Sequence, residues 1–338
     1  MNLADLSVEE IAKELDIQSY KAKQLYKWIR RGVTDIDKMT DLPLNLRERL
    51  KAEYELFFPE VYMKFSSKLD ETVKYLIKLG DGNIVETVLM SYEHGKSICV
   101  STQVGCRMGC AFCASTMDGL IRNLAPSEIE GQIRAVSNDA NVRISNVVLM
   151  GIGEPLDNYD NVITALHAIN NPDGLNIGFR HITLSTCGLV AGIKRLTEEG
   201  IPITLALSLH ATDDEGRRKI MPAAKATTVK ELVSLMDAYS EKTGRRVSYE
   251  YALINGVNDS IKEAEKLAKL LTGKLCHVNL IEVNPVEGRN FTRGKNKYEF
   301  IKVLEKHGVA ATVRRELGKD ISASCGQLKK SIAEEGKL

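Results

Sequence analysis

Three cysteines stand close together, Cys106, Cys110 and Cys113 in "GCRMGCAFC". Thiolates bind zinc and iron, and a closed structural site takes four such ligands, so one short loop offers one too few. Zinc knuckles come as two CxxC-type pairs far apart, and no second pair is present. A ferredoxin-type run supplies four thiolates. The Cx3Cx2C spacing instead suits three irons of a four-iron cubane, leaving the fourth iron to an outside ligand. A structural zinc completed by a distant residue such as His94 is the competing reading. Phe112, directly before the last thiol, is placed to shield a cluster from water.

The other cysteines differ in setting. Cys187 and Cys276 lie in strand-like apolar stretches and read as buried, inert thiols. Cys99 alternates with Ile98 and Val100, so it shares a strand face with Ser101 and Gln103. Cys325 lies in "DISASCGQL", where the small Ser322, Ala323, Ser324 and Gly326 let the backbone flex. Glu86 in "NIVETVLM" shares its face with Ile84, Val88 and Met90. A carboxylate in that company is either at an exposed edge or buried with a raised pKa, as a general base near neutral pH would be.

Elements that position these groups follow from periodicity. Residues 1–65 read as helical, with "SYKAKQLYKWIRRG" closed by Gly32. Lys21, Lys23, Lys27, Arg30 and Arg31 make that helix basic around Trp28, either as a solvated face or as a surface for RNA phosphate. Residues 66–96 form a β-hairpin extension turning at "GDGN". Residues 97–320 alternate strand-like and helical patterns, beginning at "SICVST" and "APSEIEGQIRAVSND", which argues a parallel sheet of right-handed βαβ units. The fold class is α/β, a partial (β/α)6 barrel, although an open doubly wound sheet alternates in the same way. Residues 321–338 are a C-terminal segment carrying Cys325. In either architecture the working groups belong at the carboxyl ends of strands, where the cysteine loop, "GIGEP", "STCG", "SLHA" and "NP" (Asn284, Pro285) all fall. Gly151 and Gly153 hint at a dinucleotide fingerprint, but Leu156 holds the third glycine's place and rules it out.

Bulk properties exclude other classes. The chain has 338 residues, 43% apolar and 27% charged, with a net charge of +1, so nucleic-acid binding would rest on local patches. "MNLADLSVEE" has no apolar signal region, and no run approaches the roughly eighteen apolar residues of a membrane span. A cytoplasmic protein without a membrane partner is expected, and in a reducing compartment clustered cysteines point to metal or catalysis.

The Cx3CxΦC loop at the first barrel strand resembles the signature of radical S-adenosylmethionine (SAM) enzymes. There the open iron takes the amino and carboxylate groups of SAM. The motifs "VETV", "CVSTQVGC", "GxGEPL", "LSTCG", "SLHA", "VNP" and "CGQL", in order through nearly the whole chain, resemble the RlmN/Cfr family of dual-radical RNA methyltransferases. That resemblance implies a [4Fe-4S] cluster on Cys106, Cys110 and Cys113. It implies a SAM pocket lined by Gly153, Glu154, Ser185, Ser208, Leu209, His210 and Asn284, with two SAM consumed per turnover. It further implies Cys325 as methyl carrier, Cys99 as second catalytic thiol and Glu86 as base. "ISAS" stands where many relatives carry "IDAA", so local acidity differs, yet Cys325 and "GQL" are intact.

The implied chemistry explains two thiols. C2 of adenine is not nucleophilic, so direct transfer from a sulfonium has nothing to attack it. One SAM methylates Cys325; a second, reductively cleaved, yields a radical that activates the S-methyl carbon for addition to C2. Glu86 removes the C2 proton, and Cys99 attacks the Cys325 sulfur, leaving a disulfide. That last step needs the two Cβ atoms within about 4.5 Å. Implied substrates are adenosine 2503 of 23S rRNA and, in some members, adenosine 37 of tRNA. Implied partners are these RNAs and an electron donor such as flavodoxin or ferredoxin, with the enzyme a monomer. Cfr-type members modify C8 and confer antibiotic resistance; Pro155 after Glu154 resembles the RlmN side, since Cfr tends to carry Ala there. A radical SAM maturase acting on protein would share the cluster without needing the Cys99/Cys325 pair, and a metal-stabilised RNA-binding protein would need neither.

Overall fold

The computed structural model describes residues 2–223, 227–284, 286, 288–328 and 331–332. Three helices open the chain: α1 (Val8–Glu14), α2 (Ser19–Arg30) and α3 (Leu44–Glu53). A capping box between Ser7 and Glu10 starts α1. In α2 the buried Ala22, Leu25 and Ile29 recur at helical spacing. They meet Ile11, Leu15, Leu46 and Leu50 in a core separate from that of the barrel. The expectation of helix to residue 65 is corrected: α3 ends at Glu53, and Glu60–Ser66 is a strand, β1. Pro59 precedes it, and its side chains alternate between half-buried and exposed from Glu60 to Lys64, a period of two.

Next come β2 (Val73–Lys78), β3 (Asn83–Tyr92) and β4 (Gly95–Cys99), paired antiparallel, with β2 and β3 turning about "GDGN" as expected. A small hairpin of β5 (Gln103–Gly105) and β6 (Leu120–Asn123) brackets the cysteine loop, which the alternation pattern does not foretell. Then follow α4 (Pro126–Ala140), β7 (Ile144–Leu149), α5 (Tyr159–Asn170), β8 (Ile182–Thr186), α6 (Val190–Glu199) and β9 (Thr204–Ser208). After a short unforeseen helix, α7 (Asp214–Ile220), come α8 (Val229–Thr243), β10 (Val247–Leu253), α9 (Ile261–Leu271), β11 (Cys276–Glu282), α10 (Lys297–Lys306), β12 (Ala311–Val313) and β13 (Ser331–Ile332).

The main sheet runs β1-β2-β3-β4-β7-β8-β9-β10-β11-β12, with β13 on β3. From β4 to β12 every neighbouring pair is parallel and in chain order. A doubly wound sheet reverses strand order at a switch point; this one does not, so the right-handed crossovers keep the helices on one side and the sheet curls. The six expected strands are joined by β12 as a short seventh. Among the described strands β4 pairs with β3 rather than with β12, so the barrel stays open between them.

Basic α2 is the second correction. Arg30 is not on the surface: it is 2% exposed and its Nη1 meets Glu130 Oε2 of α4 at 2.6 Å. Arg30 also donates to the Ala4 carbonyl, and Arg134 bridges Glu130 and the Arg30 carbonyl. Ser127 N donates to Asp5 Oδ1 at 2.8 Å, so several polar contacts bind the helical domain to α4. Lys23, Lys27 and Arg31 remain exposed, while Trp28 is half-buried with its ring N–H donated to Asp41. Removing one partner of a fully buried pair strands the other charge. Glu130→Gln and Arg30→Met each should lose about 3–5 kcal/mol in urea unfolding. Lys27→Ala, removing an exposed pair with Asp173, should stay within about 1 kcal/mol.

Candidate active site

Register decides which side chains face inward. Ser208 pairs with Glu250, and Glu250 with Asn279, on adjacent parallel strands. Ser185, one strand over, brings its hydroxyl to 3.4 Å from that of Ser208. Ser185, Ser208 and Glu250 line a cavity of about 160 Å³ at the strand carboxyl ends, together with the thiols of Cys106, Cys110 and Cys113. Cys99 pairs with Val148 on one side and Val88 on the other, which turns it to the same sheet face as the barrel interior.

The glycine-rich turn after β7 is dictated by close approach. A Cβ on Gly151 would lie 2.7 Å from the Val100 carbonyl oxygen. Gly153 has φ +110°, and a Cβ there would come within 2.8 Å of the Gln103 nitrogen. Glu154 lines the cavity but spends its carboxylate on backbone: Oε2 accepts from Cys187 N at 2.7 Å and Oε1 from Leu156 N at 3.1 Å. Burial raises its pKa against those hydrogen bonds. Its part in a ligand pocket is thus to shape the turn.

His210 combines the two roles weighed for it. Its backbone is left-handed at φ +56°, its Nδ1 accepts from Ala252 N at 2.9 Å, and its ring lines the cavity. Burial, aided by Arg217, drops its pKa to about 3, so the ring is neutral and is no acid–base group at pH 7. Phe112 stands edge-on to it at 5.0 Å, closing the space around the thiol loop. Arg217, itself buried, fixes this turn by donating to the carbonyls of Leu209, Ser208 and Cys187. Cys187 is more than a strand-packing thiol: it lines the cavity, and burial pushes its pKa far up. Cys276 is buried as expected.

The C-terminal segment forms another wall. Asn284 Nδ2 donates to the Cys325 carbonyl at 3.0 Å, and Ala114 N on the cysteine loop to the Gly326 carbonyl at 2.8 Å. Burial, then the nearby Cys325, pushes the Cys99 thiol up to about 12. All seven cysteines are free thiols. Pro285 of the "NP" motif lies outside the described residues. Glu86 is buried rather than at an exposed edge: it is 4% exposed, and its Oε1 pairs with Lys74 Nζ at 3.2 Å. It sits on the interior face through its row with Val88 and Cys99, yet it does not line the cavity.

Two groups escaped the sequence reading. Glu250 is 2% exposed; its Oε1 accepts from Asn279 Nδ2 at 2.8 Å, while Oε2 has no hydrogen bond and lies 3.6 Å from Arg314 Nη1. Burial raises the Glu250 pKa, and Cys325 and Glu250 raise that of Arg314. The available signal was a carboxylate alternating with Ser248 and Ala252 inside an otherwise apolar strand, "VSYEYALI".

The thiol loop fits a cluster better than one ion. A mononuclear zinc draws its ligands to a single point, and among the described residues no three His, Cys, Asp or Glu side chains converge so. The three thiols instead surround a shared cavity, as when each meets a different iron. His94, the candidate fourth zinc ligand, stacks on Tyr92 at 5.2 Å and does not line that cavity.

An open parallel barrel with three thiols on the loop after its first strand defines a class of enzyme, and comparison with known proteins agrees. The profile of the Radical SAM superfamily matches residues 100–271, and that of the ribosomal RNA large subunit methyltransferase N-terminal domain matches residues 1–56. The chain is 50% identical to a "Probable dual-specificity RNA methyltransferase RlmN" of Lachnoclostridium phytofermentans, covering 99% of this chain and 96% of that one. The protein of the same name in Clostridioides difficile is also 50% identical, over 97% and 96%. A crystal structure of a radical SAM methyltransferase from Sphaerobacter thermophilus superposes with a TM-score of 0.89 at 41% identity, covering 97% and 99%. The chain belongs to the radical SAM superfamily and, within it, to the RlmN methyltransferases. Its cofactors are a [4Fe-4S] cluster and SAM.

Neutral, buried His210 ties stability to pH. Its folded pKa is depressed, so between about 3 and 6.5 the unfolded chain binds the extra proton. Its contribution is complete above pH 6.5 and is lost as pH falls towards 3. Between pH 7.5 and 5 wild type should lose about 2 kcal/mol more urea stability than His210→Asn.

Proposed function

We propose that this enzyme methylates C2 of adenosine 2503 in 23S rRNA, and C2 of adenosine 37 in tRNA, working in the cytoplasm as a monomer reduced by a flavodoxin- or ferredoxin-type donor. The observation that carries the reading is the placement of two free thiols, Cys99 and Cys325, as electrostatic neighbours beside a cavity walled by three more. A protein-directed maturase has no use for that pair. No helix among the described residues is long and apolar enough to cross a membrane.

The bound cluster and SAM supply a methyl group and, after one-electron reduction, a hydrogen-abstracting radical. The chain's residues do the rest. Cys106, Cys110 and Cys113 hold the cluster, and the backbone at Gly153 and Glu154 with Ser185, Ser208, Leu209, His210 and Asn284 encloses SAM. Cys325, steadied by Asn284 through its carbonyl, takes the methyl group and carries the carbon to C2. Glu86 takes the C2 proton from the adduct. Cys99 then attacks the Cys325 sulfur, so that the disulfide forms as the sulfur–carbon bond to the RNA breaks, and the freed carbon takes a proton to become the methyl group. Pro155 after Glu154 favours C2 over C8.

Three experiments test these roles. Cys325→Ala should give neither product nor RNA adduct, whereas Cys99→Ala should accumulate on its RNA as a nuclease-sensitive shift on a denaturing gel. Mass spectrometry and NMR of the wild-type product should show 2-methyladenosine; 8-methyladenosine as main product would move the chain to the Cfr side. With Arg30 excluded by its burial, replacing Lys23, Lys27 and Arg31 by Ala should weaken RNA binding and flatten its logarithmic salt dependence by about 0.7–0.9 for each phosphate no longer neutralised. Full methyl transfer by Cys99→Ala would end the two-thiol scheme.

A further inference from the structure

Cys325 borders two cavities. One holds the three cluster thiols; the other lies behind it and is lined by Met90 and Tyr92 of β3, Asn284, and Arg314 and Arg315 beyond β12. Strand order explains the second: β3 and β4 stand at one side of the parallel sheet and β12 at the other, so this space is the lateral opening of the barrel.

We propose that this second cavity receives the target adenine of the RNA, with Tyr92 stacking on the base and Arg315 taking an adjacent phosphate. This rests on the RNA-methylating function proposed above and names where its substrate sits. A carbon carried on Cys325 must face the cofactor to be activated and the base to be transferred, and Cys325 lines two spaces. The second space reaches Cys325 past a different set of side chains, Met90 and Tyr92 among them.

The lining suits a nucleobase. Tyr92 already belongs to a flat stack, its ring 5.2 Å from that of His94 with 15° between planes. A base would extend that stack by one member. Aromatic stacking is the usual grip on an unpaired base, and it tolerates a base turned out of a helix or loop. The Met90 sulfur, which accepts from the Tyr92 hydroxyl at 3.7 Å, adds polarisable surface. Arg314 spans the wall between the cavities; Glu250 Oε2 and Met150 Sδ lie 3.6 and 3.1 Å from its Nη1. That anchoring holds its guanidinium plane beside Cys325. Arg315, the next residue, is exposed at the rim, where an RNA backbone would pass.

The test is a binding cycle on cluster-loaded enzyme without SAM. Two RNA hairpins are compared, one carrying the target adenosine and one with an abasic site there. Wild type should bind the intact hairpin about ten-fold more tightly. Tyr92→Ala should bind the intact hairpin about ten-fold more weakly than wild type and no longer distinguish the two RNAs, while Tyr92→Phe restores the difference. Tyr298→Ala, which removes an exposed tyrosine on α10, should behave as wild type. Iron and sulfide content of each variant reports the loaded fold. A Tyr92→Ala enzyme that discriminates as wild type does, or that loses affinity equally for both hairpins, overturns the proposal. Wild type that ignores the base yet forms methyladenosine overturns it too. Wild type that forms no methyladenosine at all defeats the underlying RNA-methylating function instead.

Discussion

The hydrogen bonds that hold the Cys325 segment against the barrel are the constraint on which the site depends. Asn284 at the end of β11 fixes the Cys325 carbonyl, Ala114 N holds that of Gly326, and Ser115 Oγ that of Leu328. Two of these three donors belong to the residues directly after Cys113. Cys325 is thus placed by the loop that carries Cys106, Cys110 and Cys113, and a shift of one displaces the other. Each bond is worth only about 1 kcal/mol net, but the segment has little apolar packing of its own to replace them. Ala323 and Leu328 are its buried contributions to the barrel core, with Ile321 packed against it.

Below that wall the barrel floor is polar by register. Parallel pairing aligns Ser208, Glu250 and Asn279 across three strands, so one sheet face presents hydroxyl, carboxylate and amide side by side. Glu250 would be an expensive choice alone. Asn279 satisfies one oxygen, and Arg314, just beyond β12, offsets the charge. The carboxylate therefore helps set the position of a cation that stands next to the Cys325 thiol.

Much of this was legible in the sequence because it is local. The cysteine spacing, the glycine turn at "GIGEP" and the strand–helix alternation each reside in short contiguous stretches. The sequential strand order that separates a curled sheet from a doubly wound one is not local, and only the observed pairing decided it. Arg30 was misjudged for the same reason. A basic residue on an amphipathic helix looks solvated until its partner, Glu130, is brought up from a distant helix. Glu86 hid its lysine in the facing strand, and Arg314 and Glu250 find each other only once the barrel curls.

The Arg30–Glu130 contact also bears on how such a protein can change over generations. The helical domain and the barrel have separate cores, which invites the view that one can be exchanged for a homologous version. Yet the seam between them contains two opposite charges with almost no access to water. A recombinant that inherits the arginine without the glutamate carries a stranded ion at the junction. Exchange across this boundary therefore costs stability unless Arg30 and Glu130 are inherited together, although a whole strand-and-hairpin region separates them in the chain.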